Sequence, residues 1–135
     1  MRMRVADIMQ ADVEVVLADM TVRDVIVTLA DAHVHGVPVV DLNQRIFGVI
    51  SSSDVLQAVA ETDSADAHET LFDRTHVRDL MTTPARTTTA ETDVRDAAQQ
   101  MLQFDVHRLF VERDGTLAGV VSQSDIVRAV AADRL

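Results

Sequence analysis

The strongest constraint on this 135-residue chain is that it is written twice. Moving 72 positions along turns Val5-Ala6-Asp7-Ile8-Met9 into Val77-Arg78-Asp79-Leu80-Met81, Val22-Arg23-Asp24 into Val94-Arg95-Asp96, and His35 into His107. After a turn one residue shorter the offset becomes 71. There Gly48-Val49-Ile50-Ser51-Ser52-Ser53-Asp54 is matched by Gly119-Val120-Val121-Ser122-Gln123-Ser124-Asp125. A single indel placed in a turn is what a duplicated structural unit tolerates. Self-similarity at a fixed period marks copies of one supersecondary unit that cannot bury its apolar face alone. The copies are read as residues 1–60 and 77–135. Between them, residues 61–76 carry five acids, one arginine and no strand pattern, so they read as a solvated acidic linker or a short helix.

Each copy predicts the same order of elements. A β-prone piece (Val13 to Leu17; Arg86 to Thr89) precedes a helix that starts near Thr21 or Thr92. Val22, Val25, Ile26 and Leu29 follow the spacing of one buried helical face, and Val94, Ala97, Ala98 and Met101 repeat it. Two apolar runs follow, Val37 to Val40 and Ile46 to Ile50, split by Asp41-Leu42-Asn43-Gln44. In the second copy they are Leu109 to Val111 and Leu117 to Val121 around Asp114-Gly115, a hairpin signal. A last helix places Val55, Leu56 and Val59, or Ile126, Val127 and Val130, on one face. The fold class is α+β, two β-α-β-β-α repeats. About 55 residues hold too little core to stand alone comfortably, and two copies packed sheet to sheet would bury both apolar faces.

Composition narrows the function. With 47% hydrophobic and 25% charged residues the chain can build a core, and with four phenylalanines as its only aromatics that core is aliphatic. All 12 basic residues are arginine, against 22 acids, and the net charge of −10 repels phosphate polymers and anionic lipid. The expectation is a protein that binds neither nucleic acid nor membrane. Zero cysteine removes disulfides, thiolate nucleophiles and cysteine-based metal sites. No apolar run approaches a membrane span, and Met1-Arg2-Met3-Arg4 leads into Val5-Ala6-Asp7 without a signal-peptide core, so a cytoplasmic location is expected. His33, His35, His68, His76 and His107 match no zinc spacing, so no metal site is predicted. Six methionines without a run read as gap-filling core.

Ser51-x-x-Asp54 and Ser122-x-x-Asp125 stand where a buried strand hands over to a helix. The plainer role is a capping box, with serine accepting from the amide three residues on and the acid returning the bond. The same geometry suits a ligand, because unpaired amides at a helix start and a serine hydroxyl favour a phosphate or ribose oxygen. An acceptor-only carboxylate can take both hydrogens of a ribose cis-diol.

The repeat resembles the cystathionine-β-synthase (CBS) domain, and the tandem resembles a CBS pair, or Bateman module. The resemblance is carried by Asp7-Ile8-Met9 and Asp79-Leu80-Met81, by His35-Gly36-Val37-Pro38-Val39-Val40-Asp41, and by the closing glycine, serine and aspartate of each copy. It implies a pseudo-twofold pair of repeats and a regulatory sensor. In such a sensor the inter-repeat clefts bind an adenosine-containing ligand: AMP, ADP, ATP, S-adenosylmethionine or NAD. It also implies a homodimer and an effector that the module controls. These 135 residues hold only the repeats, so a separate partner protein is expected.

Carried over residue by residue, the resemblance gives Asp54 and Asp125 the ribose and Ser51 and Ser122 a ribose or phosphate contact. It places the adenine slot at Val15, Val37 and Pro38 in the first copy and at Thr87, Leu109 and Phe110 in the second. Val15 stands where threonine or serine is common, and Phe110 where proline is usual. His107-Arg108 resembles a phosphate-contacting pair, and arginine binds phosphate bidentately. The first copy has His35-Gly36 instead, so the two clefts should differ in affinity for phosphorylated ligands. An ATP-like polyanion would need that local cation or a divalent metal such as Mg2+ in so acidic a protein. The alternative is a CBS-like pair with empty clefts that serves dimerisation or docking. Catalysis is not expected, because no Gly-rich phosphate loop ending in lysine and no supported Ser/His/Asp set is present.

Overall fold

A computed structural model describes residues 2–133. Helix α1 (Val5–Ile8) is followed by β1 (Val16–Leu17), α2 (Val22–Ala32), β2 (Gly36–Val40), β3 (Ile46–Ser51) and α3 (Ser52–Ala60). Helix α4 (Ala65–Arg74) lies in the acidic segment. Then come α5 (Val77–Leu80), β4 (Thr87–Thr89), α6 (Val94–Phe104), β5 (Arg108–Arg113), β6 (Thr116–Ser122) and α7 (Gln123–Asp133). Two three-stranded sheets result, β1-β2-β3 and β4-β5-β6, each with one parallel and one antiparallel pairing. This is the expected two-repeat α+β fold.

The chain divides into two compact units, Glu14–Ala85 and a second built from Met1–Val13 with Arg86–Leu135. Each unit therefore takes its opening segment from the other sequence copy. In the discontinuous unit, Val5 N–H donates to the Thr92 carbonyl at 2.8 Å, Ala6 to Ala90 at 2.9 Å, and Val94 to Met3 at 2.8 Å. In the contiguous unit, Val77 donates to Met20 at 2.8 Å, Arg78 to Ala18 at 3.1 Å, and Val22 to Thr75 at 3.0 Å. Val5 and Val77 are fully buried and anchor these segments in equivalent cores. Burial of each is worth about 1.5–3 kcal/mol.

The closing glycines explain how the segments seat. Thr82 and Val49 exchange backbone hydrogen bonds of 2.8 and 3.0 Å, and Gln10 and Val120 exchange two of 2.9 Å. A Cβ on Gly48 would stand 2.5 Å from the Thr82 carbonyl oxygen, and one on Gly119 2.6 Å from that of Gln10. Only a residue without a side chain allows that approach.

Periodicity located the long helices well. Val22, Val25 and Leu29 of α2 are buried, as are Val94, Ala97 and Met101 of α6. Three details differ. Helix α6 begins at Val94, because the Asp93 carboxylate accepts from Arg95 N–H at 2.8 Å while Thr92 bonds back to Thr89. Strand β1 shrinks to the two residues that pair with Val39 and Val40. On α3 and α7, Leu56 and Val127 point to solvent, 71% and 66% exposed, because each lies one helical step round from its half-buried neighbour Val55 or Ile126.

Candidate functional site

The two Ser-x-x-Asp motifs form the same capping geometry. Ser51 Oγ accepts from Asp54 N–H at 3.2 Å, and Ser51 N–H donates to Asp54 Oδ2 at 2.9 Å. Ser122 Oγ accepts from Asp125 N–H at 3.1 Å, and Ser122 N–H donates to Asp125 Oδ2 at 2.9 Å. Each box ties the end of a central hairpin to the start of a helix. The capping role is thus realised in both copies.

The second oxygen of each aspartate is where the copies diverge. Asp54 is half-buried, and its Oδ1 receives one neutral donor, the Thr82 hydroxyl at 3.1 Å. Ser51 Oγ also donates to Asp54 Oδ2 at 3.0 Å. Asp125 is 6% exposed, and its Oδ1 receives Gln10 Nε2 at 3.3 Å and Arg128 Nη2 at 2.6 Å. A carboxylate oxygen offers two lone-pair sites. Asp54 Oδ1 therefore keeps one acceptor position, whereas both on Asp125 Oδ1 are engaged. Gln10 and Thr82 are equivalent under the 72-residue offset, and Arg128 stands where the first copy has Gln57. No sequence motif singled out Gln10, Thr82 or Arg128. The glycine opposite each opening segment was the available hint.

The remaining predicted residues fall at the same ends of the sheets as the motifs. In the contiguous unit, Gly36 pairs with Ser51, and Pro38 lies two residues along β2. Val15 immediately precedes β1 and is half-buried. Val37 is 1% exposed and packs in the aliphatic core with Val16, Val25 and Ile50. In the other unit Arg108 pairs with Ser122, and Thr87 pairs with Phe110 across the parallel β4–β5 ladder. Leu109 belongs to the core with Met101 and Val121, while Phe110, one residue on, is 7% exposed. His107 is exposed, and its carbonyl accepts from Gln123 N–H at 3.0 Å, beside the closing box. Each unit thus gathers a carboxylate, a serine and a strand-end backbone within one small region. The discontinuous unit adds two arginines there, Arg108 and Arg128. Among the described residues no three His, Asp or Glu side chains converge as a metal-ligand set.

Two sheets of this topology, each closed by a Gly-x-x-Ser-x-x-Asp box, define a tandem CBS pair. The CBS-domain family model matches residues 5–61 and 77–132, and the chain belongs to that family. It is 29% identical over 113 residues to the chloroplastic CBS domain-containing protein CBSX1 of Arabidopsis thaliana. The match covers 68% of this chain and 48% of that protein, so the chain spans about half the length of the curated relative it matches. Among solved structures it is similar to CBSX2 in complex with AMP, at 30% identity, TM-score 0.81 and 98% coverage of both chains. A second similar structure is the acetoin utilization protein AcuB from Vibrio cholerae, at 23% identity and TM-score 0.82. It covers 99% of this chain and 94% of that one, and shows the shared fold.

Proposed function

We propose that this chain is a non-catalytic regulatory module that senses an adenosine-containing ligand and modulates a separate partner protein. The observation that carries the reading is the pair of helix-start carboxylates. Asp54 and Asp125 are each held by a strand-end amide and a neighbouring side chain; Asp54 keeps an open position for a ribose hydroxyl, and Asp125 would gain one when Arg128 turns to a ligand phosphate. The likeness to CBSX2, crystallised with AMP, supports the same ligand class. Asp54, with an open acceptor position and no guanidinium on it, suits an uncharged nucleoside. The Asp125 region, with Arg108 and Arg128, favours a ligand that brings a phosphate to replace the carboxylate Arg128 now holds. AMP is the reference ligand, with ADP, ATP, NAD and S-adenosylmethionine as the remaining candidates. ATP is the one for which Mg2+ would offset the acidic surface.

A cytoplasmic location is part of the same proposal; among the described residues no helix is long and apolar enough to cross a membrane. A homodimer belongs to the same reading. Exposed Leu56 and Val127 are equivalent apolar positions on α3 and α7 that a second copy would cover.

Thermal melting with the nucleotide panel tests the ligand. AMP at 100 times its Kd stabilises by about 2.7 kcal/mol, and Asp54→Ala and Asp125→Ala then assign the site. A panel that leaves Tm unmoved, or two aspartate variants with unchanged affinity, refutes the ribose role.

A further inference from the structure

The duplication gives every groove a counterpart, and one pair of counterparts is finished differently. In the contiguous unit α4 packs across both α2 and α3. Its Leu71 is 7% exposed, Asp73 pairs with Arg23 at 2.6 Å, and the Arg23 guanidinium lies 5.8 Å over the Phe72 ring. Helix α4 is capped by Thr75, whose carbonyl receives Val22 N–H.

In the discontinuous unit the Met3 carbonyl occupies that position and receives Val94 N–H. The groove between α6 and α7 is, however, an open cavity of about 540 Å³. Its apolar floor is Met3, Val94, Ala98, Ile126 and Val130. Four of these occupy the positions of Val22, Ile26, Val55 and Val59 on α2 and α3. Ala98 in place of Ile26 makes the floor deeper. Arg95 stands at the rim in the position of Arg23, and among the described residues no carboxylate pairs with it.

We propose that the α6–α7 groove is a docking site for an amphipathic acidic helix of a partner protein. That helix would present adjacent large apolar side chains to the floor, with an aspartate one place further on for Arg95. The geometry is helix-in-groove recognition, and the filled copy of the groove supplies the template. Of the rim charges, Arg2 and Asp93 pair with each other at 3.7 Å, so Arg95 is the one that selects an acidic occupant, as Arg23 does for Asp73. A second copy of this chain is the weaker occupant. Where α4 already fills the equivalent groove, Leu56 stays 71% exposed, so the groove and the face proposed for a second copy are separate surfaces. The inference is independent of the nucleotide reading and survives its failure.

The test titrates a synthetic peptide of residues 62–76, the α4 sequence with its caps, into isotopically labelled full-length chain followed by NMR. The expected result is saturable perturbation centred on Val94, Arg95, Ala98, Ile126 and Val130. Arg95→Glu should weaken the peptide by about fivefold or more while leaving the urea midpoint of the chain in place. A peptide carrying Leu71→Asp and Phe72→Asp should not bind. No saturable perturbation up to millimolar peptide overturns the proposal, as does perturbation centred elsewhere. Concentration-dependent shifts at the same five residues without peptide would also overturn it, in favour of self-association.

Discussion

In the unit that contains α4, a helix lies over α2 and α3, and the closing carboxylate Asp54 meets only neutral donors. In the other unit the equivalent groove is open, and the closing carboxylate Asp125 is bound by an arginine. The backbones of the two copies share their strand registers, capping boxes and the close glycine approach. Apart from α4 and a hairpin turn one residue shorter, the telling differences are single side chains: Thr82 against Gln10, Gln57 against Arg128, Ile26 against Ala98, Val16 against Thr88. Duplication conserves what the backbone must do to close, and it leaves the surfaces and ligand-facing atoms free to separate the roles of the copies.

The largest test of that likeness is at the glycines. Gly48→Ala and Gly119→Ala each push a methyl to within 2.6 Å of a backbone oxygen that cannot move without unseating an opening segment. Each should cost about 3 kcal/mol by urea denaturation, with similar values. A difference of more than about 1.5 kcal/mol would break the equivalence of the two seats. Next is Leu71→Ala, which should destabilise by about 2 kcal/mol and raise amide exchange along α2 and α3. The discontinuous unit has no matching position among its described residues, so exchange on α6 and α7 should stay unchanged.

A smaller effect of opposite sign is expected at Thr88. It is 4% exposed, its hydroxyl has no partner, and it replaces Val16 of the other copy. Thr88→Val should stabilise by about 1 kcal/mol, read as a higher urea midpoint, and destabilisation there would show that the hydroxyl is satisfied.

The smallest concerns the Arg23–Asp73 pair. The hydrogen bond from Arg23 holds the Asp73 carboxyl below its ordinary value, and Asp73 in turn raises Arg23. A carboxyl depressed in the folded state stabilises above its unfolded pKa, and that contribution is lost as pH falls through the folded one. A carboxyl-detected NMR titration should therefore place Asp73 below an ordinary aspartate. Arg23→Ala should return it upward, and an unshifted Asp73 would remove the model for Arg95 at the open groove.

The sequence carried the repeat, the hairpins and the buried faces of α2 and α6, because each rests on a local periodicity that the core then enforces. Ser51, Asp54, Ser122 and Asp125 were readable as well, since a capping box is a short-range pattern. The partners of the two aspartates were not. Gln10 and Thr82 reach them across 115 and 28 residues of chain, and nothing local to a lone Gln or Thr marks such a contact. The exchange of opening segments was equally hidden. Self-comparison shows that Val5 and Val77 are equivalent but not on which sheet each is seated. Leu56 and Val127 share an apolar stripe with half-buried Val55 and Ile126, because an apolar residue one step round a helix widens the stripe without revealing what covers it.

That exchange also sets an order of events in time. The unit formed by residues 14–85 is contiguous and can close as soon as its last residue is free of the ribosome. Residues 1–13 emerge before it, yet Val5 has no core to enter until Ala90, Leu109 and Val121 have been made, and no carbonyl to bond until Thr92 has. This segment is thus made before the contiguous unit and seated after it. It must wait, with Val5, Ile8 and Met9 unburied, across the synthesis of nearly the whole chain. Closing that long loop is slow compared with the local contacts of the first unit. Residues 2–13 are therefore where the nascent chain stays open longest to a chaperone or a protease.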